Sequence, residues 1–108
     1  MRLIIMLLLS SILLVGCDSD YKVGDKITLK ESIMGSHTIH DFKEMIKKAR
    51  KGDKISVDGV NYNILFEDSK IKVVKVSEKD NMILVKLLNG SDEGTEWWVS
   101  KGDLNRAK

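Results

Sequence analysis

The chain has 108 residues with 18 Lys+Arg against 16 Asp+Glu, a formal net charge of +2. That length allows one small domain with a single core, and the near balance of charge excludes the basic footprint of a nucleic-acid-binding protein, so no nucleic-acid partner is expected. One cysteine excludes an internal disulfide, and a chain without proline, repeats or low-complexity tracts reads as globular.

The N-terminal segment comes first. Met1-Arg2 is a positively charged start, and Leu3 to Val15 is an apolar run broken only by Ser10 and Ser11. Such a run suits an export signal of about 7–15 apolar residues better than a membrane span of about 20. Leu14-Val15-Gly16-Cys17 resembles the lipobox of bacterial lipoproteins, in which the cysteine thiol receives a diacylglycerol and the signal is cut before it. The alternative is an ordinary secretory signal with an incidental cysteine. The resemblance implies a signal peptide over 1–16, lipidation at Cys17, a tether over 17–22, and a chain anchored to a bacterial cell membrane, facing the periplasm or the exterior. In a host with two membranes, Asp18 directly after the cysteine implies the inner membrane. Each buried acyl methylene contributes about 0.8 kcal/mol, so two or three chains anchor stably. Removal of Met1–Gly16 takes Arg2 with it and leaves seventeen basic residues against sixteen acidic ones.

Residues 23–108 read as one mainly β domain. Val23 to Lys30 alternates apolar and polar residues and predicts a strand, with Val23, Ile27 and Leu29 on one face. Glu31 to Ser36 is expected to be a loop broken at Gly35. Ile39, Phe42, Met45, Ile46 and Ala49 recur at helical spacing, with Thr38 and Asp41 at the start and Gly52 at the stop, which predicts a helix over about 38–50. Its polar face carries Lys43, Lys47, Lys48, Arg50 and Lys51, either as a basic face for anionic headgroups or as a solvated face with charges that complement the helix dipole. Beyond it, Lys54–Val57, the turn Asp58-Gly59 and Val60–Phe66 predict a hairpin. Ile71 to Val76, Met82 to Leu88 and Thr95 to Val99 predict three further strands, joined by a polar turn over 78–81 and a loop over 89–94. Ser100 to Leu104 reads as a tight turn into a last short strand or tail.

The run from Lys70 to Leu104 resembles the C-terminal half of bacterial SH3-like domains, through Met82-Ile83-Leu84-Val85-Lys86-Leu87, Gly94-Thr95-Glu96-Trp97-Trp98-Val99 and Ser100-Lys101-Gly102-Asp103-Leu104. The resemblance implies a small antiparallel barrel of five or six strands, closed by a one-turn helix, into which the 38–50 helix is inserted. Ser100 and Asp103 stand where eukaryotic SH3 domains carry a proline and a tyrosine, so polyproline binding is not expected. Period-two alternation puts Trp97 inside with Val99 and Trp98 outside, where Trp98 could stack on a ligand beside Tyr62 or pack under the helix.

His37 and His40 lie near Asp41, but no third metal ligand stands at recognisable spacing, and no nucleophile or phosphate-loop motif appears. Neither a metal, a cofactor nor an enzymatic activity is expected. The sequence instead suggests a monomeric, membrane-anchored binding module for an envelope protein or a cell-wall (peptidoglycan) component, with Trp98, Tyr62, Lys47 and Lys48 as candidate binding residues. The competing reading is a phage- or plasmid-encoded exclusion or immunity lipoprotein acting at the envelope.

Overall fold

The computed structural model describes residues 21–58 and 60–108. The expectations for the signal segment 1–16, for Cys17 and Asp18, and for Gly59 of the hairpin turn lie outside the described residues. Tyr21, assigned to the tether, is buried in the core. Among the described residues no helix is long and apolar enough to cross a membrane.

Six strands among the described residues form one antiparallel sheet: β1 (Lys26–Thr28), β2 (Ile33–Ser36), β3 (Tyr62–Leu65), β4 (Lys70–Ser77), β5 (Met82–Leu87) and β6 (Glu96–Ser100). Among the described residues two helices accompany them, α1 (Ile39–Lys51) and α2 (Lys101–Ala107). The strand order is β1-β4-β5-β6-β2-β3, so β1 and β3 are the edges. The mainly β character and the inserted amphipathic helix agree with the sequence, but the expected closed barrel is not formed, because β1 and β3 do not pair. The free edge of β3 is instead satisfied locally: the Asp58 carboxylate accepts from the Tyr62 amide (3.4 Å), and Asn63 Oδ1 accepts from the Ile64 amide (3.0 Å). Side chains thus take the donors that a further strand would use.

Alternation sorts the two faces. Ile33, Leu65, Ile71, Val73, Ile83, Val85, Leu87, Trp97 and Val99 face one core, completed by Leu29, Leu104 and Ala107. Fully burying each such aliphatic side chain contributes about 1.5–3 kcal/mol. On the other face, Met34, Tyr62, Met82 and Trp98 meet Ile39, Phe42, Met45 and Ile46 of α1. Thr38 caps α1 by accepting from the Asp41 amide (3.0 Å), and Gly52 ends it at φ 80, a left-handed conformation natural to glycine.

Four expectations need correction. Residues 33–36 are not a loop but β2, hydrogen-bonded between β6 and β3. Gly35 is what makes this possible, since a Cβ there would sit 2.8 Å from the Trp97 Cβ; the glycine marks close approach rather than a break. Residues 54–57 form no strand. There the Asp58 carboxylate gathers the amides of Val60 and Asn61, each at 2.9 Å, so a side-chain turn displaces the hairpin ladder. Those amides also hold the Asp58 carboxyl below its ordinary pKa. The chain after Ser100 is not a turn into a strand or tail but a helix, as the SH3-like resemblance implies, capped by Ser100 accepting from the Asp103 amide (3.0 Å) and burying Leu104 and Ala107. Finally, Val23 is 70% exposed, outside the strand predicted to bury it.

Candidate functional site

α1 covers only part of its sheet face, and a cleft of about 410 Å³ remains along its flank. Phe42 and Ile46 of α1 and Met82 of β5 give it an apolar floor, and Lys43, Lys47, Arg50 and Asp80 border it. The far wall is built by the β4–β5 turn and the β6–α2 junction, where Asp80, Asn81, Ser100 and Gly102 line the opening. Asn81 takes the left-handed conformation (φ 55) that lets the turn close tightly, and its carbonyl accepts from the Lys101 amide (2.9 Å). The turn and the start of α2 are thereby one wall.

One ion pair spans the cleft. Lys43 Nζ donates to Asp80 Oδ1 at 2.8 Å, and Ser77 Oγ donates to Asp80 Oδ2 at 3.0 Å. The Lys43 ammonium first, and the Ser77 hydroxyl second, hold the Asp80 carboxyl below its ordinary pKa. The carboxylate therefore stays charged at neutral pH, and the strap weakens only as pH falls through that depressed value. The other two cations are differently placed. Lys47 reaches Glu44 only at 3.4 Å and is 68% exposed on its side chain, a geometry worth little in water. Arg50 is exposed and makes no ion pair among the described residues. Two cations beside an apolar floor can seat an apolar group that carries an anion.

The residues singled out by sequence are brought together unevenly. Lys47 borders the cleft, whereas Lys48 is exposed on the same helix and is not among the lining residues. Trp98 and Tyr62 are half-buried beneath α1 rather than free on the surface, which is the packing alternative for Trp98. Tyr62 donates its hydroxyl to the Asp41 carbonyl at 3.1 Å, and burial, with Asp41 and Glu44 behind it, raises its pKa and keeps that donor protonated. These two aromatics position α1 and so shape the cleft without lining it. Asp80, Asn81, Met82, Ser100 and Gly102 escaped the sequence reading, because no local motif marks them and only the fold brings them to α1. The loop over 89–94 borders a smaller cavity of about 220 Å³ that Phe66 also lines. His37 and His40 are both exposed, and no three His, Cys, Asp or Glu side chains converge as a metal site among the described residues.

Set against protein-family models, curated proteins and solved structures, the chain finds no match in any of the three.

Proposed function

We propose that this chain is a membrane-anchored bacterial lipoprotein whose β domain is a binding module, taking an acidic, apolar-tipped segment of an envelope protein or cell-wall component into the cleft beside α1. The cleft carries the reading: an apolar floor fits a single large side chain, and Lys47 and Arg50 at its border fit the carboxylates beside it. The anchor rests on the lipobox-like Leu14–Cys17. The meander β4–β5–β6 running into α2 supports an SH3-like origin for the part from Lys70 to Leu104.

Each half has its own test. Cys17→Ser should abolish incorporation of radiolabelled palmitate, and labelling of the serine variant as strong as wild type would defeat the lipoprotein reading. Lys47→Glu combined with Arg50→Glu should lower recovery of the envelope partner about ten-fold or more, as expected when about 1.4 kcal/mol of attraction is lost. An unchanged circular dichroism spectrum would show that the domain remains folded. Undiminished capture by that folded variant would place the site elsewhere.

A further inference from the structure

We propose that the uncovered part of the sheet, at β1, β4 and β5, is a docking surface for a membrane leaflet rich in anionic phospholipid. The register creates it. Lys26 of β1 stands directly opposite Lys72 of β4, and Lys72 directly opposite Lys86 of β5. Registered partners point to the same side of a sheet, and neighbouring strands lie about 4.8 Å apart, so three ammonium groups share a row about 10 Å long. Lys70 and Lys75 extend the same face of β4, paired with Thr28 and Leu84, the second after the bulge between Val73 and Lys75.

Like charges directly opposite one another destabilise a sheet, yet none of these five lysines has an ion pair among the described residues. The row ends at Glu96, opposite Lys86, and that pair makes no salt bridge either. α1 packs chiefly on β2 and β6, away from β1 and β4, and leaves Lys26, Lys70 and Lys75 exposed and Lys72 and Lys86 half-buried. A strand pattern that sets lysine against lysine, with Glu96 at its end and no ion pair formed along it, is matched by a continuous plane of phosphate groups. The face is flat and offers no aromatic side chain among these positions, which suits headgroups better than the stacking that single-stranded nucleic acid requires.

The path of the chain sets how far the domain can stand from its anchor. Gly24 donates its amide to the Val73 carbonyl and Asp25 accepts from the Val73 amide, each at 2.8 Å, which fastens the residues before β1 to β4. Tyr21 donates its hydroxyl to Asn105 Oδ1 and lies under Lys108, whose Nζ is 4.8 Å from the ring centroid. Tyr21 belongs to the core on the other face of the sheet, so the chain comes to the lysine-bearing strands around the β1 edge. Resting on the lipoprotein reading, the four residue steps from Cys17 to Tyr21 reach at most about 14 Å, which keeps the domain, and with it the β1 edge that carries Lys26, close to the bilayer that holds the acyl chains.

The test uses the whole chain, purified from membranes and reconstituted in vesicles of phosphatidylcholine alone or mixed with phosphatidylglycerol, with amine acylation at each lysine followed by mass spectrometry. Lys26, Lys72 and Lys86 should react about five-fold more slowly in the anionic vesicles, the protection per lysine expected at an anionic surface. High salt should remove the difference, and Lys54 and Lys79, exposed elsewhere, should not change. Lys72→Gln with Lys86→Gln should reduce the protection of Lys26. Equal rates in the two vesicle types would overturn the proposal, as would equal protection by inorganic phosphate or a DNA oligonucleotide added to phosphatidylcholine vesicles. A chain that does not float with phosphatidylcholine vesicles counts against the anchor alone, because protection in the anionic vesicles is read separately.

Discussion

Trp97→Ala is expected to lower the stability of the domain by about 3–5 kcal/mol, the range for removing a large buried aromatic. Trp97 is 5% exposed in the main core, opposite Val85 across the β5–β6 ladder, and its ring nitrogen donates to Thr95 Oγ1 at 2.8 Å. A domain of this size has about 5–15 kcal/mol in total, so the variant should unfold at much lower urea or be partly unfolded in buffer. Trp98 is half-buried under α1, and Trp98→Ala should cost about 1–3 kcal/mol, above the level of a surface change and below that of Trp97. Urea midpoints for the two variants decide the matter. A larger loss at Trp98 than at Trp97 would reverse the assignment of faces.

Gly35→Ala is the second change with a large expected effect, although it adds one methyl group. The new Cβ would meet the Trp97 Cβ at 2.8 Å and Leu65 Cδ1 at 2.9 Å. Leu65 can rotate its end away, but the Trp97 Cβ is fixed to the β6 backbone. The strain therefore falls on the β2–β6 junction, where Ser36 and Trp98 form the one registered pair. Overpacking of this kind costs about 1–3 kcal/mol, and here it acts at the contact that attaches β2 and β3 to the rest of the sheet. Trp97→Phe should not rescue Gly35→Ala, because phenylalanine keeps the offending Cβ. Restoration of the wild-type midpoint by the double change would contradict the close approach of the two strands.

Much of the fold was legible where one element carries its own signal. The β-branched run Ile71–Val76 and the alternation around Trp97 and Val99 specify strands with a buried face, and α1 announces both of its ends through Thr38 and Gly52. Legibility failed where a residue type serves a distant partner. Gly35 reads as a breaker until Trp97 is set against it, and Asp58 reads as part of a two-residue hairpin until its carboxylate is seen holding three amides. Five or six closely spaced strands suggest a small barrel or sandwich and the resemblance of the C-terminal third favours the barrel, but the edges are decided by β1 and β3, outside that third. The cleft was half visible: the cations of α1 could be read from helical spacing, but Asp80, Met82 and Gly102 reach them only through the β4–β5–β6 meander. The lysine row was invisible for the same reason, since Lys26, Lys72 and Lys86 are aligned by register alone.

The central claim, that the anchored domain binds its partner through the cleft beside α1, is tested most directly by site-specific photocrosslinking in the native envelope. A photoreactive side chain replacing Lys47, at the cleft border, should give one dominant adduct. The same group replacing Lys54, exposed on the segment after α1, should give none, and Arg50→Glu should suppress the adduct from position 47. Equal adducts from both positions, or an adduct from position 47 that is indifferent to Arg50→Glu, would contradict the cleft as the binding site.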